Sequence, residues 1–311
     1  MIKFSEKTSP TQNKSLEGYN VRLDIRREDL LHSHISGNKY RKLKYNLAFA
    51  KANNYKTLLT YGGAFSNHIA ATAAAGKKAG LKTIGIIRGE ELGRDLSRTL
   101  RENKTLAFAV SQGMKLKFVS RSTYREKDTK RFRESVLNKF EPFYEIPEGG
   151  TNALAVKGCM EILTETDHHY DYICCPAGTG GTAAGIIEAS APHQEILVFS
   201  ALKGVFLREE IKKYTIKKNW RLLTDYHFGG YAKVNDDLIQ FINSFNEKQG
   251  IPLDPIYTGK MMYGLMDLVK KGCFPENTRI LAVHTGGLQG IAGINARLRA
   301  KNAPFLIHID D

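Results

Sequence analysis

The sequence predicts an α/β fold of doubly wound parallel sheets with helices on both faces. Three observations lead there. Short β-branched or apolar runs alternate with longer stretches of helical period through most of the 311 residues. Glycine clusters stand where three of those runs end, the edge at which open α/β sheets bind ligands. At roughly 150 residues per domain, the length suits about two domains or one large doubly wound unit.

In chain order the strand candidates are KTLLTY at 56–61, KTIGIIR at 82–88, KLKFVS at 115–120, YDYICC at 170–175, EILVFSA at 195–201, WRLLTDY at 220–226 and RILAVH at 279–284. Helical spacing runs over 67–80, 100–113, 152–166, 179–190, 236–250 and 260–272, and several of these stretches close on glycine. A further helix begins near Asn38, with Tyr40, Leu43, Leu47 and Ala50 on its apolar face. The C-terminal PFLIHIDD reads as an edge strand. Neither an internal repeat nor a Pro/Ser/Gly linker marks a domain boundary.

Hydrophobic residues at 42% and charged residues at 25% exclude a disordered chain. No apolar run approaches the roughly 18 residues of a membrane helix, and the first twenty residues lack the apolar core of a secretory signal, so a cytoplasmic protein without membrane contact is expected. Cys159, Cys174, Cys175 and Cys273 show no CxxC spacing and are expected in the core, with no metal site. Cys174 and Cys175, adjacent on one strand, point to opposite faces. The net charge of +14 raises a nucleic-acid-binding alternative, but acidic neighbours interrupt most of the basic runs, which read as solvated helix faces.

Five segments carry chemistry. In CPAGTGGTAAG, Gly178, Gly180 and Gly181 permit a tight turn, and Thr179 and Thr182 add hydroxyls at a helix start whose free N–H groups favour an anion; this is a phosphate cradle without the GK[ST] of a P-loop. In ISGNKYRKL, Lys39 and Lys42 share one helix face just after Gly37. In YGGAFSNHIAA, Ser66, Asn67 and His68 open a helix, where N–H groups and side chains can hold a carboxylate. Tyr257 in DPIYTGK precedes a helix, where a ring can stack on a planar ligand, and Thr285 in HTGG ends a strand with a hydroxyl able to bond a ring nitrogen.

Taken in order, REDLLHSHISGNKYRKL, YGGAFSNHIAATAAAGKKAGL, AGTGGTAAG, DPIYTGK and HTGG resemble the aminocyclopropane-carboxylate deaminase and D-cysteine desulfhydrase family of pyridoxal-phosphate enzymes, of the tryptophan-synthase-β type, from about Arg27 to Gly290. The resemblance implies that Lys39 forms a Schiff base with the cofactor and acts as the catalytic base. It further implies that Lys42 approaches the phosphate; that Gly178, Thr179, Gly180, Gly181 and Thr182 form the phosphate loop; and that Asn67 faces the phenolic oxygen. Ser66, Asn67 and His68 would receive the substrate carboxylate, Tyr257 would stack on the ring, and Tyr231 in FGGYAKVND would be a second site tyrosine, although Ala232, Lys233 and Val234 replace the Gly and Pro usual after it. The implied architecture has a smaller domain at 45–140 inserted into a larger cofactor domain of 1–44 and 141–311, in a homodimer acting on a small amino acid.

Departures from the family pattern separate its branches. Deaminases carry Glu after the stacking tyrosine and Leu before the late GG; Thr258 and Thr285 stand there in this chain, as in the desulfhydrases. A neutral hydroxyl leaves the pyridine nitrogen a weaker electron sink than a carboxylate does, sufficient for expelling thiolate. β-Elimination of D-cysteine to pyruvate, ammonia and sulfide is therefore expected, with ring opening of aminocyclopropane carboxylate to oxobutyrate as the enzymatic alternative.

Overall fold

The structure, a computed structural model, describes residues 9–14, 16, 18–140 and 142–307. Ten strands are found among them: β1 (Thr11–Lys14), β2 (Val21–Arg27), β3 (Thr57–Gly63), β4 (Lys82–Arg88), β5 (Met114–Val119), β6 (Tyr144–Ile146), β7 (Tyr172–Ala177), β8 (Glu195–Ser200), β9 (Trp220–Leu223) and β10 (Thr278–His284). The helices are α1 (Asn38–Ala52), α2 (Asn67–Ala79), α3 (Leu96–Glu102), α4 (Lys104–Ser111), α5 (Arg121–Arg125), α6 (Lys130–Phe132), α7 (Ala153–Met160), α8 (Gly181–Ala189), α9 (Leu207–Lys212), α10 (Asp236–Gln249), α11 (Thr258–Lys270) and α12 (Gly290–Arg299).

The strands form two sheets, a six-stranded one in the order β1-β2-β10-β7-β8-β9 and a four-stranded one in the order β5-β4-β3-β6. Every pairing is parallel except β1 with β2. Both faces of the larger sheet are covered. Leu23, Ile25, Cys174 and Leu197 pack with α10, α11 and α12 on one side, while Ile173, Cys175, Val198 and Val283 pack with α7 and α8 on the other. The expected α/β class holds, and Cys174 and Cys175 do face opposite ways. Glycine clusters stand at the carboxyl ends of β3, β6, β7 and β10, which places the candidate residues at that end of each sheet.

Several expectations are corrected. The strand β2, VRLDIRR, next to the edge strand β1, carries too much charge to read as buried; its buried charges are matched inside the fold, Arg26 Nη2 on Asp167 at 2.5 Å and Arg27 Nη2 on Asp29 at 2.7 Å. The stretch read as one helix over 100–113 breaks at Asn103, whose Oδ1 accepts from Leu106 N at 2.9 Å and starts α4. The stretch over 152–166 stops at Met160, because Arg26 Nη1 takes the Ile162 carbonyl and Asp167 caps Thr164 N. Cys273 is exposed, unlike the other three cysteines. No strand forms over 304–307, and the rest of PFLIHIDD lies outside the described residues. Beyond position 140, β6 joins the smaller sheet, with Leu58 opposite Tyr144.

Candidate active site

Four glycine turns at strand ends converge. Gly37 enters α1 with φ +62°, and a Cβ there would stand 1.9 Å from the Thr285 carbonyl oxygen, so only glycine lets α1 begin against the end of β10. Asn38 N donates to that same carbonyl at 3.1 Å. Asn38 Nδ2 donates to Thr182 Oγ1 at 2.8 Å, tying α1 to the first turn of α8. Lys39 follows, its Nζ 3.2 Å from Asn38 Oδ1. Burial, then the charge of Lys42, pushes the Lys39 amine down to about 7.

Lys42 is buried one turn further on. Its Nζ donates to Gly149 O at 3.1 Å, Thr151 Oγ1 at 3.0 Å and Thr179 Oγ1 at 3.4 Å, and burial lowers its pKa. The turn between β7 and α8 closes with Gly180 at φ +80°. Thr179 and Thr151 hydroxyls meet at 2.6 Å, and a Cβ on Gly178 would come within 2.9 Å of the Tyr257 ring. The free first-turn N–H groups of α8 thus share one end of a chamber with the Lys42 ammonium.

Ser66 caps α2, its Oγ accepting from Ile69 N at 3.4 Å. Asn67 donates weakly to Gly287 O at 3.5 Å, while its Oδ1 is buried with no hydrogen-bond partner. The His68 ring is engaged on both sides, Nε2 with Thr60 Oγ1 at 2.7 Å and Nδ1 with Thr72 Oγ1 at 3.5 Å, and burial holds its pKa well below the usual value. A neutral, engaged imidazole has no group for a carboxylate; the start of α2 offers backbone N–H groups and the Ser66 hydroxyl instead. Tyr257 is set at the start of α11 by Asp254, whose Oδ2 accepts from Tyr257 N at 2.9 Å. The Tyr231 ring lies edge-on to it, centroids 6.3 Å apart.

These residues line two connected chambers. The inner, about 70 Å³, is walled by Asn38, Lys39, Lys42, Asn67, the turn of residues 178–180, Thr182, Tyr257 and Thr285. The outer, about 1030 Å³, shares Lys39, Asn67 and Tyr257 and adds Ser66, His68 and Tyr231.

The sequence matches the model of the pyridoxal-phosphate dependent enzymes over residues 8–286. The chain belongs to that family. It is 33% identical over 283 residues, 86% of this chain and 84% of the other, to a Pyrococcus horikoshii protein that carries a provisional 1-aminocyclopropane-1-carboxylate deaminase name. It is 30% identical, over 86% of this chain and 72% of the other, to an Arabidopsis thaliana protein named bifunctional D-cysteine desulfhydrase/1-aminocyclopropane-1-carboxylate deaminase, mitochondrial. A solved structure described as an ACC deaminase homologue superposes with a TM-score of 0.78 at 28% identity, covering 94% of both chains. Nucleic-acid binding finds no support in these likenesses. Among the described residues no helix is long and apolar enough to cross a membrane.

The residues where the two chambers meet suit the cofactor of this pyridoxal-phosphate enzyme in their chemistry. A phosphate suits the α8 start beside Lys42, a flat ring suits the face of Tyr257, and the unpartnered Asn67 Oδ1 is a buried acceptor that a phenolic hydroxyl would satisfy. Of the residues expected in the site, only Gly181 lines neither chamber; it starts α8 tightly against Thr151, where a Cβ would meet Thr151 Cγ2 at 2.7 Å. Tyr231 does reach the outer chamber, with Ala232 at φ +54°, the left-handed region that glycine favours.

Thr258 requires a correction. Its hydroxyl donates to Asp254 Oδ1 at 2.7 Å and is fully buried away from the chamber, so of the two threonines only Thr285 lines it. Sequence reasoning missed Asn38, Asp254 and the fourth glycine turn, Gly149-Gly150-Thr151. That last signal was readable, since GGT follows a strand just as the other three clusters do.

Proposed function

We propose that the enzyme eliminates the β-substituent of a small amino acid, D-cysteine by preference, so that cysteine and water give pyruvate, hydrogen sulfide and ammonia. Pyridoxal phosphate, when bound, supplies a conjugated ring that accepts the electron pair left on the α-carbon. Lys39, its amine half neutral near pH 7, is the group that would hold the cofactor and then take the α-proton on Nζ. Lys42, the turn of residues 178–182 and the N–H groups of α8 would hold the phosphate; Asn67 would meet the phenolic oxygen; Thr285 would serve the ring nitrogen. The start of α2, with Ser66, Asn67 and the His68 N–H, orients the substrate carboxylate. Burial raises the pKa of Tyr257, and partial desolvation at the chamber wall raises that of Tyr231, whose ring is half exposed, so both hydroxyls stay protonated and can donate to the departing sulfur.

One observation carries the choice of branch: among the described residues, no carboxylate lines the inner chamber, and the nearby Asp254 is fully engaged with Ile256 N, Tyr257 N and both donors of Thr258. A ring nitrogen there lacks an anionic partner, which suits the expulsion of a good leaving group over the opening of a cyclopropane. The proposal includes a smaller unit at 45–140, whose sheet β6 of the larger part completes, a larger unit of both chain ends, a homodimer, and a cytoplasmic location without nucleic-acid partners. The test supplies the loaded enzyme with D-cysteine, L-cysteine and aminocyclopropane carboxylate side by side. Sulfide and pyruvate from D-cysteine with little oxobutyrate is the expected result; oxobutyrate as the main product overturns the branch.

A further inference from the structure

The TGK that follows the stacking tyrosine holds a buried cation with no part in the chemistry above. Lys260 is 1% exposed, one turn into α11 from Tyr257. Its Nζ donates to His227 O and to Gly230 O, each at 2.8 Å. Those two carbonyls are the acceptors of two consecutive tight turns, since Gly230 N donates to His227 O at 2.9 Å and Lys233 N donates to Gly230 O at 3.1 Å. Tyr231 is the residue just after their junction.

The double turn is conformationally expensive. Phe228, Gly229, Gly230 and Ala232 all have positive φ, at +52°, +88°, +113° and +54°, and Phe228 and Ala232 lack the freedom of glycine. Such a backbone persists only where surrounding contacts over-determine it. Here the contacts include Gly229 N on His227 Nδ1 at 2.9 Å, the Phe228 ring edge-on to Tyr263, and Arg297 Nη2 on Ala232 O at 2.6 Å from α12, while the Lys260 ammonium gives both acceptor carbonyls a second, charged donor.

We infer that Lys260 is a positioning residue that clamps the two turns and thereby holds Tyr231 against Tyr257 over the substrate cavity. The burial of the ammonium supports this. Desolvation lowers its pKa to about 8 with only Asp254 opposing, so an apolar side chain would be the cheaper occupant if packing were its sole task. One helix, α11, thus sets both tyrosines, Tyr257 through its own backbone and Tyr231 through the side chain one turn on. Sequence proximity between TGK and the stacking tyrosine then has a geometric reason.

The inference rests on the reading that Tyr231 works in the substrate cavity, and the experiment separates the two. Backbone amide exchange of the holoenzyme is compared between wild type and Lys260→Met, with Lys260→Gln as the second variant should Met prevent folding. Amides of Gly230 and Lys233 should exchange at least about tenfold faster, while those of β7 keep their rate. Turnover of D-cysteine or aminocyclopropane carboxylate, whichever the enzyme accepts, is measured in a cycle with Tyr231→Ala. The Lys260 substitution should cost on the order of tenfold or more in kcat with Tyr231 present and less than about twofold without it. An equal cost in both backgrounds, or unchanged exchange, overturns the clamp. Should Tyr231→Ala alone be silent, the role of Tyr231 fails, and the exchange rates still decide for or against the clamp.

Discussion

Lys39 and Lys42 lie three positions apart on α1, so each cation sits in the field of the other within walls that exclude water. The consequence is a lysine whose amine is half neutral near pH 7, against an ordinary value of about 10.4. Below that pH the folded protein holds the proton and the amine is unreactive; above it the lone pair is free. In cofactor-free protein, arylation of Lys39 by trinitrobenzenesulfonate should rise with a midpoint near pH 7, read by peptide mapping. Replacing Lys42 by Gln removes a like charge and should move that midpoint upward; an unmoved midpoint would show that desolvation alone sets it. The shared face of the two lysines was legible in the sequence, but their burial was not, since a lysine at a helix start looks like a solvated cation. What distinguishes it is the Thr285 carbonyl against Gly37 and the Asn38 bond to Thr182, contacts between segments some 250 and 140 positions apart. The resemblance of the ordered motifs supplied what local chemistry could not.

At the level of elements, strands with uniform apolar runs were legible because burial on both faces leaves a continuous signal, as in β3, β4, β7, β8 and β10. The strand β2 was not, because Arg26 and Asp24 are satisfied by partners distant in sequence, Arg26 by Asp167 and Asp24 by Tyr170, which donates to it at 2.6 Å. Helix boundaries failed where a side chain imposed its own cap, Asn103 before α4 being the plainest instance. The start of α11 shows how much one such cap can govern. Asp254, wholly buried, accepts from Ile256 N, Tyr257 N, Thr258 N and the Thr258 hydroxyl, all at 2.7–2.9 Å. Asp254→Ala would strand those donors out of water, and should cost about 3 kcal/mol of stability by urea denaturation. Tyr257 should lose its fixed place as well, so pyridoxal phosphate affinity should fall together with stability. A variant that kept full affinity while losing stability would separate the cap from the ring it presents.

Across the whole molecule the charge of +14 belongs to the surface, because the buried charges nearly cancel. Among the described residues, Arg26, Arg27, Arg41, Lys42 and Lys260 are buried against Glu28, Asp29, Asp167 and Asp254. The buried pairs are short, such as Arg41 Nε on Glu28 Oε2 at 3.0 Å, and are little screened by salt. Exposed pairs such as Arg98 with Glu102 contribute little and are screened by salt. Self-repulsion of the surface excess is therefore the electrostatic quantity that salt changes most. Raising sodium chloride from about 0.01 M to about 0.15 M shortens the screening length from ~30 Å to ~8 Å, which should raise the melting temperature of the cofactor-free enzyme by a few degrees. Chloride is the right anion for the measurement, since sulfate or phosphate would occupy the α8 start and stabilise by binding. A melting temperature that falls with sodium chloride would mean that the surface ion pairs outweigh the repulsion, and that the excess charge is spread too widely to oppose folding.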